Sequence, residues 1–285
     1  MRRNLKKGSS IALITLMYVF ALVVGIFVFK GVEPFMHKLW AVFLADVVAT
    51  VLIWGCGVVW RNVSVYDPYW SVAPPVIFTL WAFYKSCWTL PVILLLIAVW
   101  YWGIRLTLNW AVTFHRFSQE DWRYSRFRGR LSPLMFQGLS LFGFQMMPTL
   151  VVFAGMMPGF VLLDHPGSVY AGTWAGFAIC LAATSIQWIS DNQSHSFRAA
   201  HPGEVCEAGL WKRGRHPNYF GEIAFWWGIW MMQAASKGFA RPWLLIGPLA
   251  ITALFLFVSI PMMEKRQLAN KPGYAAYRQR TRKLI

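Results

Sequence analysis

Residues 6–31, KKGSSIALITLMYVFALVVGIFVFKG, decide the class of fold. Two lysines and a short polar step lead into an apolar run at 11–29, close to the roughly 20 residues with which a helix crosses hydrocarbon. With Arg2 and Arg3 upstream, the stretch has the outline of a signal peptide. The run is long for that role and no small-residue cleavage pattern follows it, so an uncleaved first membrane helix is expected.

Outward from this run, further apolar segments lie at 39–60, 72–84, 90–108, 134–161, 169–189, 219–236 and 242–263. Pro74, Pro75 and Pro91 interrupt the third and fourth, so a six- or seven-helix count stands beside eight. Composition agrees: 57% of residues are hydrophobic and 13% charged, far from a soluble domain. The expectation is an all-α, polytopic transmembrane bundle of about seven or eight helices. It reads as a single integral membrane domain over 1–285, with no repeat, linker or low-complexity tract.

The formal net charge of +16 suits either a nucleic-acid binder or a membrane protein with an asymmetric loop charge. Its distribution separates the two. With a cytoplasmic amino terminus, segments 1–10, 61–71, 104–133, 190–218 and 264–285 carry 4, 1, 6, 4 and 7 Lys or Arg, or 22 of the 27. Positive charge marks the cytoplasmic side. Both termini are therefore expected there, in the inner membrane if the source is bacterial, with membrane lipids as neighbours and no nucleic-acid partner. Segments 104–133, 190–218 and 264–285 would form a basic cap able to bind an anionic cofactor.

The common catalytic signatures are missing: no glycine-rich dinucleotide fingerprint, no P-loop, no zincin motif, no nucleophile elbow. Cys56, Cys87, Cys180 and Cys206 show no ligand spacing, and His195 and His201 lie six apart in an expected loop without partners, so no metal is expected. Asn62 and Asn192 open glycosylation-type triplets by chance on the cytoplasmic side. The pairs Gly155/Gly159 and Gly172/Gly176 have the spacing for close helix approach.

Chemistry concentrates at helix ends. In QWISDNQSHSFR (187–198), Gln187, Asp191, His195 and Arg198 recur at spacings of four, four and three, along one helical face. That face is either a solvated helix end or a stripe that hydrogen-bonds ribose, phosphate or amide. In GLWKRGRHPNYFGE (209–222), Arg213, Arg215 and His216 precede Pro217, a residue suited to a first helical turn, and Asn218, Tyr219 and Glu222 follow. A basic juxtamembrane anchor explains the cations, but not Asn218, Tyr219 and Glu222 entering an apolar helix.

These two stretches, with EKRQLANKPGYAAYRQRT (264–281), and more weakly SVYDPYW (64–70), IRLTLNW (104–110) and DWRYSRFR (121–128), resemble the steroid 5-alpha reductase family, in particular its bacterial branch. The resemblance covers roughly 64–282. It implies a membrane-embedded reductase that uses NADPH to reduce the carbon-carbon double bond of a lipophilic enone, with most of the cofactor site in 190–285. Carried over by motif, Asp191, Arg198, Arg215, His216, Asn218, Tyr219 and Glu222 would be cofactor ligands, with Gln187, Glu264 and Arg266 as further candidates. Gly214 stands where the family usually has Ser, and Ser194 where a Lys is common.

Hydride transfer to an enone builds charge on the carbonyl oxygen, which calls for a donor. Asp67 is the leading candidate, followed by Tyr101 and Tyr66; a turn role ahead of Pro68 is the other reading of Asp67. Asp46, inside an apolar helix, is expected to pair with Arg105 or Asn109, and Arg105 could alternatively bind a phosphate. Two other readings remain: an S-adenosylmethionine-dependent membrane methyltransferase resembling isoprenylcysteine carboxyl methyltransferase, and a non-enzymatic lipid-binding or transport protein.

Overall fold

All eight apolar segments are helical in a computed structural model of the chain, which describes residues 5–165, 167–237 and 241–285. Arg2 and Arg3, part of the basic start, lie outside the described residues. Helix α1 (Lys7–Val32) is followed by α2 (Lys38–Trp60), which ends at Arg61 in the left-handed region (φ 51°). A single 3₁₀ turn (Val63–Tyr66) leads to α3 (Tyr69–Tyr84), α4 (Leu90–Thr113) and the short α5 (Trp122–Arg128). Helix α6 (Pro133–Gly138) passes through a π-helical stretch, Leu139–Met146, into α7 (Met147–Asp164). Then come α8 (Ala171–Ala200), α9 (Pro217–Lys237), α10 (Ile246–Ala253), a second π-helical stretch (Leu254–Ser259), α11 (Ile260–Asn270) and α12 (Tyr274–Arg280). No strand occurs among the described residues; Gly214 and Arg282 form an isolated bridge.

Among the described residues, five helices are long and apolar enough to cross a membrane: Lys7–Val32, Lys38–Trp60, Leu90–Thr113, Pro133–Asp164 and Pro242–Asn270. Of the other three, α3 has 16 residues, and α8 and α9 carry polar side chains along their length. The prolines do not divide the third and fourth segments. Pro91 is the second residue of α4, where its missing N–H costs no helical bond, and α3 continues through Pro74 and Pro75.

Several helices run further than hydropathy marks. α4 continues to Thr113 and α8 to Ala200, so His195 stands on a helix and not in the loop expected for it; His201 is the residue that ends that helix.

The helices group into two compact units. One comprises the chain up to Ile77 with Leu106–Phe153. There α1 and α2 pack around Ile14, Met17, Ile53, Tyr66 and Phe114. Asn62 fastens the turn after α2, donating to the Phe117 carbonyl at 2.6 Å and accepting from the Ser64 N–H at 2.9 Å. Its amide is buried, in keeping with a chance glycosylation triplet.

The other unit comprises Phe78–Arg105 and Ala154–Ile285. Its centre is the close pairing of α8 with α9. A Cβ on Gly176 would lie 2.7 Å from the Gly228 carbonyl, and one on Gly228 would lie 2.6 Å from the Cys180 sulfur. The small residues let two backbones meet, as their spacing predicts. Gly155 and Gly159 likewise abut Trp226 and Phe78. All four cysteines are free, and no group of His, Cys, Asp or Glu suited to a metal occurs among the described residues.

Candidate functional site

The polar stripe of α8 meets the start of α9 in the second unit. Arg105, near the end of α4, sends its guanidinium to the Gln187 carbonyl oxygen at 2.5 Å and forms an ion pair with Asp191. Asn218 donates to the other Asp191 oxygen at 3.1 Å. Asp46, expected to pair with Arg105 or Asn109, instead accepts a 2.7 Å bond from the Tyr69 hydroxyl in the first unit. Gln187 carries the geometry further: a Cβ on Gly221 would lie 2.5 Å from its Cγ, so only glycine lets α9 pass here.

One turn along α9, Glu222 is 4% exposed and accepts from two indoles, Trp102 and Trp226, each at 2.9 Å. Trp226 is the i+4 neighbour of Glu222, and Trp102 lies three residues before Arg105. Thus α4, α8 and α9 each contribute to one buried polar layer. The two indoles were not singled out from the sequence, although the i,i+4 relation of Glu222 and Trp226 was legible there.

A second, adjoining cluster ties 209–216 to the carboxy-terminal helix. Arg215 pairs with Glu264 at 2.8 Å and donates to the carbonyls of Arg278, at 2.9 Å, and Thr281. Its backbone N–H meets the Arg282 carbonyl at 2.9 Å. Arg278 reaches the other Glu264 oxygen at 3.2 Å. His216 donates Nε2–H to Glu264 at 3.3 Å, since a carboxylate only accepts, and its ring stacks at 4° on Tyr219. Burial pushes His216 down to about 4, against the opposing pull of Glu264, so the ring is neutral at neutral pH. The Tyr277 hydroxyl closes the cluster on the Trp211 carbonyl at 2.5 Å.

Gly214 has a local reason. A Cβ there would lie 3.0 Å from the backbone of Leu284 and Ile285, so the tail occupies the space a side chain would need. Serine at this position would press on that backbone.

Arg198 and Arg266 remain exposed. Arg198 bonds the Ser194 carbonyl of its own helix, and its positive charge, after burial, helps hold the Lys271 ammonium below its ordinary value. Two cations that raise each other's energy attract an anion. Lys271, which donates to the Glu204 carbonyl at 2.7 Å, was not a candidate by sequence, because its partner Arg198 lies 73 positions away.

The proposed proton donors fall in both units. Asp67 accepts from the Tyr124 hydroxyl at 2.6 Å and lies 3.7 Å from Arg123. Burial pushes its carboxyl up to about 6 although Arg123 and the Tyr124 bond oppose the shift. It also ends the 3₁₀ turn, the local role that its place before Pro68 suggests. Tyr66 bonds Thr149 at 2.7 Å, and Tyr101, in the second unit, bonds Ser185 at 3.0 Å.

No curated protein and no solved structure matches the chain. One family does, over almost the stretch that carries the resemblance in motif: its model covers residues 53–281, and the chain therefore belongs to the family described as protein of unknown function DUF1295.

Proposed function

We propose that this chain is a membrane-embedded, NADPH-dependent reductase of the carbon-carbon double bond of a lipophilic enone. The observation that carries the reading is the layer in which Arg105, Gln187, Asp191, Asn218 and Glu222 meet from three helices. Gln187, Asp191, Asn218 and Glu222 are residues that the family resemblance assigns to the cofactor, and the matched family is related to the steroid 5-alpha reductases. In this reading all eight apolar helices cross the inner membrane, both termini are cytoplasmic, and 190–218 with 264–285 form part of a basic cap on that side.

The residues fit the cofactor. Arg198 and Lys271, with exposed Arg266, supply cationic donors for its phosphates. The Arg105 Nε–H is buried without a partner among the described residues and offers one further donor. Asp191 and Asn218 are suited to sugar hydroxyls. When bound, NADPH supplies the hydride.

The donor for the developing oxyanion is better a phenol than Asp67. At neutral pH a carboxyl shifted only to about 6 is mostly ionised, and Asp67 already accepts from Tyr124. Tyr66 is held neutral by burial, which drives its hydroxyl well above the ordinary range. We therefore rank Tyr101 and Tyr66 ahead of Asp67 as donors, and give Asp67 the structural role of anchoring α5.

The test is a titration of the detergent-purified chain with NADPH and, separately, with S-adenosylmethionine, followed by tryptophan fluorescence. Trp102 and Trp226 both bond Glu222, so occupancy should alter their emission. Saturable NADPH binding lost in Glu222→Gln supports the reductase. Response to S-adenosylmethionine alone moves the assignment to methyl transfer, and response to neither leaves lipid binding or transport as the better reading.

A further inference from the structure

The first unit holds a second buried polar cluster, of which the reductase reading uses Tyr66 and no other member. Ser140 and Gln145 lie in the π-helical stretch Leu139–Met146, five residues apart, the repeat that closes a π-helical turn. Thr149 follows at α-helical spacing. Its hydroxyl is 2.9 Å from Thr50 and 2.7 Å from Tyr66. On α2, Asp46, Thr50 and Trp54 recur every four residues, so the Thr50–Thr149 bond sets one polar stripe against the other.

All of these groups except Trp54 are buried; Gln145 is 0% and Ser140 1% exposed. Yet both amide atoms of Gln145, the Ser140 hydroxyl and the Trp54 indole N–H have no hydrogen-bond partner among the described residues. A buried amide left unpaired on both sides is costly, and a chain that needed only packing would hold Leu or Met there. The π-helical turn points the same way, since such insertions are frequent at functional sites.

We propose that this cluster is a binding site for the hydroxyl group of a lipophilic alcohol, of the sterol or isoprenoid kind. The chemistry selects the group. Gln145 presents a donor and an acceptor together, and Ser140 can be either, so full pairing takes a ligand atom that donates and accepts. A ketone would accept from the donors but leave the Gln145 amide oxygen unpaired. A phosphate or carboxylate would be opposed by Asp46, an acidic side chain on the same stripe that is already bonded by Tyr69. The rest of the ligand must be apolar, because Tyr66, which bonds Thr149, belongs to the apolar core that holds Ile53 and Val65. The site rests on Gln145 and Ser140, neither of which the reductase reading uses.

The experiment uses the full detergent-purified chain, with farnesol and cholesterol as probes and their O-methyl ethers as controls that keep the acceptor and lose the donor. Binding is read by thermal shift and by tryptophan fluorescence, with NADPH titrated in parallel. At least one alcohol should bind about tenfold or more tightly than its ether. That preference should fall to within about twofold in Gln145→Leu, while NADPH binding stays at the wild-type level. Ser140→Ala should narrow the preference in the same direction, and serves alone if Gln145→Leu does not fold. Equal affinity for alcohol and ether, a preference intact in both variants, or binding of neither probe overturns the proposal; in the last case water completes the cluster. Loss of NADPH binding in the wild type would overturn the reductase reading and leave this one standing.

Discussion

Polar side chains are buried in both units, but the unit around α8 and α9 pairs charges, whereas the unit around α1 and α2 mostly shares neutral hydroxyls. Arg105 with Asp191 and Arg215 with Glu264 are closed ion pairs, braced by Asn218, His216 and Arg278. Thr50, Thr149 and Tyr66 form a chain of hydroxyls one helical turn from the Gln145 amide, which has no partner among the described residues. The difference teaches where each unit is vulnerable. Removing half of an ion pair strands a charge, while removing a neutral orphan strands nothing.

The largest effect should follow from breaking the Arg105–Asp191 pair. Asp191→Ala leaves a buried guanidinium with the Gln187 carbonyl alone, at a cost of about 3–5 kcal/mol. Thermal unfolding in detergent should show a large drop. The double variant Arg105→Met/Asp191→Leu should recover most of it, because the charge leaves with its partner. If Asp191→Ala melts like the wild type, the contrast between the units fails.

Next comes pH. His216 has its folded value lowered from 6.5 to about 4, so the fold favours the neutral ring. Its contribution is complete above the unfolded value of about 6.5, and is lost as pH falls from there through 4, on the order of 3 kcal/mol in all. Asp67 runs oppositely: raised from 3.8 to about 6, it favours the protonated form in the fold, so acidification from 6 towards 3.8 adds stability in the first unit. Melting temperature followed from pH 7 to 4 should therefore fall less in His216→Gln than in the wild type, and more in Asp67→Asn. The same sign in both variants would show that the two groups do not titrate as their surroundings dictate.

A smaller effect is expected of Glu222→Gln, which keeps one acceptor for the Trp102 and Trp226 indoles and loses the other, about 1–3 kcal/mol. The loss should be accompanied by weaker NADPH binding. Loss of stability with full NADPH affinity would make Glu222 a brace and no ligand.

The ionic cluster was largely legible beforehand, because charge in an apolar chain stands out. Asp191, Asn218 and Glu222 announced themselves by helical spacing and by contrast with their neighbours. So did the apolar runs, which are helical in the structure, and five helices among the described residues are long and apolar enough to cross a membrane. What was not legible is pairing across long separations. Asp46 finds Tyr69 and not Arg105, and Arg215 takes the Thr281 carbonyl, because tertiary packing decides such partners. The hydroxyl cluster escaped for a further reason. Ser140, Gln145 and Thr149 fall on one face only if the helix is widened by a π turn, and a 3.6-residue period scatters them.

The smallest effect is the one that separates the units most cleanly. Gln145→Leu removes two unpaired polar atoms and keeps a similar volume, so stability should lie within about 0.5 kcal/mol of the wild type or rise above it. A polar-to-apolar change of equal size at Asp191 should cost several times that figure when made alone. If Gln145→Leu is as damaging as Asp191→Ala, the amide has a bonding role in the folded protein, and the first unit is braced by polar groups just as the second is. If it is neutral and the preference for an alcohol disappears with it, the amide serves the ligand and contributes little to the fold.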